Sequence, residues 1–271
     1  MYSETDPHDE NTSTKAPQTN PINFSTKFGN DLVQIIVGKE ERLFTIHKTL
    51  LCNKIPYFSA LFNGSFAEAA EKKACFPDDE PGSYDVLFHW VYTGVLPPLT
   101  SDNLSAPKHA WNPVAVFSLA DRMIIPELMD SVMDAWILGD AVRCEYPGLE
   151  LTEEIYDTTP EGSASRKYLM MSVFHMLMYH RSDEGMYSTE AIQDAFHENK
   201  EFCGDVLTLL RNETKIRPTD PRGICAYNFH VGGVARCGKC NASVREMGEV
   251  VGGQNVSGKV SSEYVFKDYT I

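Results

Sequence analysis

The residues best suited to chemistry lie late in the chain, in Cys225-Ala-Tyr-Asn-Phe-His230 followed by Cys237-Gly-Lys-Cys240. Two thiolates flanking Gly238 can form a knuckle in which backbone N–H groups approach sulfur. Cys225 and His230 would complete a tetrahedral Cys3His set for a structural Zn²⁺ ion. The spacing is not that of a standard zinc finger, so unligated buried thiols and a redox Cys pair stand beside zinc as readings. A small zinc-dependent enzyme would use the same four residues, but with an open coordination position beside a cleft. The chain has no Gly-rich phosphate loop, no nucleophile elbow and no His-Glu-x-x-His motif. Catalytic residues are therefore not expected, and His47, His89 and His175 read as satisfied core or interface histidines.

Charge and composition narrow the partners. A formal net charge of −14 over 271 residues opposes a phosphate-binding surface, because nucleic-acid affinity comes from clustered Lys and Arg that release counterions. The same repulsion disfavours an anionic membrane surface, and no apolar run approaches the length needed to span a bilayer. Seven cysteines, an odd number, fit a reducing compartment better than a disulfide framework. With no apolar signal segment among the polar first 20 residues, the expected location is cytoplasmic, nuclear or both. Cys52, Cys75, Cys144 and Cys203 read as small core residues.

Positioning these groups requires elements that the hydrophobic pattern locates. Residues 1–22 are too polar to offset their ordering entropy and read as a disordered tail. Leu32 to Val37 is a β-branched apolar run ended by Gly38, and Arg42 to His47 alternates, with Leu43, Thr45 and His47 on one side and Phe44 and Ile46 on the other; together they predict a β-hairpin. Two short helices follow over Lys48–Asn53 and Pro56–Asn63, the second with Tyr57, Phe58, Leu61 and Phe62 along one stripe. A short strand near Ala74–Phe76 precedes a turn, and Ser83 is positioned to cap a helix over Tyr84–Thr93 that ends at Gly94. A helical region over Pro113–Leu138 should break at Ile125-Pro126, since proline disfavours helix at the residue before it.

The order hairpin, helix pair, strand, helix, loop, helix pair resembles a BTB/POZ domain. The resemblance is carried by Asp31-Leu32-Val33, Phe44-Thr45-Ile46-His47-Lys48, Pro56-Tyr57-Phe58 through Phe62, Leu87-Phe88-His89-Trp90-Val91-Tyr92-Thr93-Gly94, Ala120-Asp121-Arg122 and Ile125-Pro126-Glu127-Leu128. It implies an α+β fold, a helical cluster capped by a small, mainly three-stranded sheet, over residues 23–138. It also implies non-catalytic association with protein partners, as a homodimer, scaffold or adaptor. Phe24 and Phe28 would be docking aromatics or would close the monomer core, and Asp31 and Lys48 fall where the family places paired charges near the dimer surface. Many such proteins are substrate adaptors of cullin-RING ubiquitin ligases, which makes a cullin a candidate partner. Here Val95-Leu96-Pro97-Pro98-Leu99 after Gly94 lacks the apolar-x-Glu signature of cullin-binding members.

Beyond the domain, residues 139–218 predict a helical extension. It contains a buried Met-rich helix around Tyr168–Tyr179, whose methionines read as core filler, and helices near Thr189–Asn199 and Phe202–Asn212. Residues 219–243 hold the Cys/His cluster, and 244–271 form a polar tail. This layout looks like the fungal BTB proteins, in which a similar Cys-x-Tyr, His and Cys cluster follows the helices.

Overall fold

The computed structural model describes residues 28–99, 109–179, 185–212 and 220–222. The hairpin forms as β1 (Leu32–Val37) and β2 (Arg42–His47), antiparallel, in register from Leu32 opposite His47 to Val37 opposite Arg42. Gly38 opens its turn with φ at +79°, where a side chain is strained and a Cβ would meet the Pro81 ring at 2.9 Å. The third strand, β3 (Lys73–Phe76), runs parallel to β1, so the sheet order is β2-β1-β3.

The crossover between β1's hairpin and β3 holds α1 (Lys48–Lys54), α2 (Pro56–Asn63) and the five-residue α3 (Ala67–Glu71). Ile55 is forced to extended backbone ahead of Pro56, which separates α1 from α2. In α2 the deeply buried residues are Phe58 and Phe62, while Leu61 is half-buried and Tyr57 exposed. The core stripe is therefore narrower than the predicted four-residue one.

Helix α4 (Pro81–Thr93) starts three residues earlier than the predicted Tyr84. Pro81 takes the first helical position, where its missing N–H costs nothing and its φ is already helical. Ser83 lies inside the first turn, buried, with its hydroxyl 3.5 Å from the Glu80 carboxylate. Gly94 ends the helix in the left-handed conformation, its N–H donating to Trp90 O at 2.8 Å. Phe44 of β2 lies edge-on 5.2 Å from Phe88, and Phe76 of β3 lies 5.6 Å from Tyr84, so aromatic contacts join the sheet to this helix.

The helix pair α5 (Pro113–Arg122) and α6 (Pro126–Arg143) breaks where Ile125-Pro126 required. Asn112 caps α5, its side-chain oxygen accepting from the N–H groups of Val114 and Ala115. Helix α6 continues five residues past the expected end, and its Trp136 is fully buried edge-on against Tyr168, 5.6 Å away. Tyr168 belongs to α8 (Ala164–Tyr179) of the extension, which is completed by a 3₁₀ turn (Leu149–Leu151), α7 (Thr152–Thr158), α9 (Thr189–Glu198) and α10 (Lys200–Asn212). The 3₁₀ turn, α3 and α7 had no sequence signal, being too short to show a period.

Helix α8 is buried over Tyr168, Leu169, Val173 and Phe174, but its last turn, Leu177, Met178 and Tyr179, is exposed. The expectation of an all-round buried helix holds from Tyr168 to Met176, where no residue is exposed, and fails over the last turn. Two polar groups inside the extension are extensively paired. The Arg166 guanidinium donates to the carbonyls of Tyr156 and Thr159, each at 2.6 Å, and to Glu201 at 2.5 Å, while lying 4.4 Å from the centroid of the Tyr156 ring. Tyr168 donates to the fully buried Asp140 at 3.0 Å. Burial first, and then the adjacent carboxylate, raises the hydroxyl's pKa far above the ordinary phenol range.

Candidate interaction surfaces of the domain

Strand periodicity divides the sheet into two faces. Val33, Ile35, Val37, Ile46 and Ala74 face the core. The outer face carries Leu32 opposite His47 and Leu43 opposite Ile36, with Cys75 of β3 on the far side of Ile36. Leu43, half-buried Ile36 and exposed Cys75 form a short apolar row across the three strands, while Leu32, 45% exposed, lies apart from it with Gln34 and Thr45 between. Two of the cysteine expectations change accordingly. Cys52 is buried, but Cys75 points outward because alternation places it on the solvent face, and Cys144 is exposed in the left-handed position that ends α6. Cys203 is intermediate.

Phe28 stacks on Tyr92 at 6.2 Å and tilts against His47 at 5.8 Å, and His47 Nδ1 lies 2.8 Å from the Tyr92 hydroxyl. These three rings form one cluster at the end of the hairpin. His89, in contrast, is exposed on α4, so it is not a core histidine. Asp31 pairs with Lys72, whose ammonium donates at 2.5 Å and holds the carboxyl below its usual pKa range. Lys48 meets Asp31 through the backbone, its N–H donating to Asp31 O at 2.8 Å. Phe24, and the proposed metal ligands Cys225, His230, Cys237 and Cys240, lie outside the described residues. Among the described residues, no group of three or more His, Cys, Asp or Glu side chains could hold a metal ion, and no helix is long and apolar enough to cross a membrane.

A second surface is a groove of about 500 Å³ bordered by Leu50, Asn53 and Lys54 of α1, Trp90 of α4 and Glu127 of α6. The Lys54 ammonium sits 4.0 Å over the Trp90 ring and donates to Trp90 O at 3.2 Å, so one cation fixes the groove's apolar wall. One turn before Glu127 stands Ile124, with φ at +56° and 76% exposure. A β-branched residue is strained in that backbone conformation. Its exposed side chain recovers little of that cost within the monomer. Sequence patterning had no means of marking Ile124, because backbone handedness at a helix junction is decided by how the two helices pack.

Comparison with known proteins agrees with this geometry. Residues 29–137 match the family model described as the BTB/POZ domain. The chain is also 38% identical over 74 residues to Kelch-like protein 30 from Homo sapiens, a match covering 27% of this chain and 12% of that protein. The three-stranded sheet, the helices that pack on it and the family match together make residues 29–137 a BTB/POZ domain, a protein–protein interaction module, followed by a helical extension.

Proposed function

We propose that the protein works without catalysis, as a scaffold that self-associates through its BTB domain and recruits another protein in the cytosol or nucleus. The observation that carries this reading is the apolar row Leu43, Ile36 and Cys75 across the outer face of the sheet, in which Leu43 is 54% exposed, Cys75 is exposed and Ile36 is half-buried. A two-fold contact would bury the same row on both copies, and apolar area removed from water is the main favourable term in such an association. Wild-type protein at micromolar concentration is expected to show a dimer mass by light scattering, and Leu43→Asp a monomer mass with an unchanged Tm, since Leu43 contributes little to the monomer core. A monomeric wild-type protein at those concentrations would end this reading.

The groove between α1, α4 and α6 favours a second reading, that of a cullin-RING adaptor. The BTB resemblance implies a cullin contact around α4 and the helices after it, where Trp90, Val95 and Ile124 lie. The missing apolar-x-Glu signature after Gly94 weighs against it. Ile124→Gly separates folding from binding. Glycine relieves the left-handed strain, so the variant should be about 1 kcal/mol more stable by urea denaturation. It should also bind a cullin N-terminal region more weakly than wild type in a pull-down. Equal capture of both proteins, or of neither, counts against the groove as the cullin contact.

A further inference from the structure

The antiparallel ladder fixes which way each backbone group of β2 points. Lys48 N–H donates to Asp31 O at 2.8 Å, and hydrogen-bonded pairs alternate along such a ladder, so Ile46, Phe44 and Arg42 also turn their N–H and C=O groups toward β1. Leu43, Thr45 and His47 turn theirs away from it. The outward His47 N–H donates to the Tyr92 hydroxyl at 3.2 Å. Among the described residues, no hydrogen bond outside the sheet reaches the backbone of Leu43 or Thr45, and both residues are exposed.

The opposite edge of the sheet is guarded in a way that this one is not. Gln34 N–H donates to Lys72 O and Gly38 N–H to Phe76 O, which leaves Lys73 and Cys75 as the outward-facing residues of β3. A lysine begins that short edge, and Pro77, the next outward position, has no N–H to offer. Lysine and proline are the residues that discourage pairing at a sheet edge. Strand β2 contains neither, and its one charged side chain, Arg42, is drawn to Asp85 of α4 at 2.7 Å.

We propose that a second copy of this chain docks on the open edge, β2 against β2, antiparallel about a two-fold axis at Phe44. Leu43 of each copy then lies opposite Thr45 of the other, and each pair exchanges both of its N–H···O=C bonds. That register uses the open groups of Leu43 and Thr45 and none already engaged. It stops at His47, whose N–H is held by Tyr92, and at the turn closed by Glu41 N–H on Gly38 O. It also sets the acidic Glu40-Glu41 turn of each copy alongside Lys48 of the other, so charge is complementary at both ends. On the outer face the two Leu43 side chains become diagonal neighbours, and the Leu43, Ile36 and Cys75 rows meet across the axis. The inference rests on the self-association proposed above and names the strand that makes the contact.

Sedimentation over a concentration series, with amide hydrogen exchange on the same samples, tests it. Thr45→Pro deletes an N–H that points away from β1, so the monomer keeps its ladder, and proline is tolerated on an edge strand whose N–H faces solvent. The dimer should weaken at least about tenfold in this variant, because the symmetry removes the bond twice. Thr45→Val, which keeps the N–H, should dimerise like wild type. In wild type the Leu43 and Thr45 amides should exchange slowly where the dimer prevails and rapidly after dilution, a readout that serves by itself if Thr45→Pro lowers the Tm. A folded Thr45→Pro protein that dimerises like wild type overturns the edge pairing and leaves self-association standing. So does a wild-type dimer in which both amides exchange at the same rate before and after dilution. A wild-type protein that stays monomeric throughout overturns the edge pairing and the self-association together.

Discussion

Replacing Arg166 by alanine should lower the unfolding free energy by about 3–5 kcal/mol, the range for breaking a buried charge arrangement by removing one partner. The guanidinium is 8% exposed and donates to the carbonyls of Tyr156, near the end of α7, and Thr159, just beyond it. Without it, both carbonyls lose a charged donor in a site that water does not readily enter. The contact with Glu201 contributes less, because that carboxylate is half in solvent and exposed pairs are worth little. Arg166→Lys should recover only a small part of the loss, since an ammonium cannot serve two carbonyls and a carboxylate from one planar fork. Urea denaturation of the three proteins measures this. A shift below about 1 kcal/mol for the alanine variant would show that water replaces the guanidinium without penalty.

Trp136→Ala should cost a comparable amount, about 3–5 kcal/mol, as expected for deleting a large aromatic from a packed core. Its consequence is different. Trp136 belongs to the last helix of the BTB domain, yet its edge contact is with Tyr168 of the extension, which in turn donates to Asp140, back on α6. The cavity would therefore open at the seam between the two parts. Amide exchange should accelerate in α8 and α10 as well as in α6. Acceleration confined to α6 would mean that the extension holds its structure without the seam.

This seam also explains why a domain boundary at residue 138 is not a physical one. The family match ends at residue 137, but α6 runs to Arg143, and Asp140 and Tyr168 form one buried hydrogen bond across the division. A BTB fragment ending at 138 would expose the Trp136 face.

What the sequence determined by itself are the features set by steric rules acting over a few residues. The β1–β2 hairpin follows from alternation closed by Gly38, and the breaks at Ile55-Pro56 and Ile125-Pro126 follow from proline's effect on the residue before it. The left-handed end of α4 follows from Gly94. The order of these signals was also enough to resemble a BTB domain. Only the tertiary structure decided which groups meet across long separations: β3 beside β1 in parallel, Asp31 with Lys72 as well as near Lys48, and Arg166 between α7 and α10. It also turned Cys75 outward and set Ile124 in a left-handed backbone. The physical reason is range: backbone sterics are written residue by residue, whereas the partner of a charge or a strand is set by which surfaces the whole chain brings together as it buries its apolar side chains.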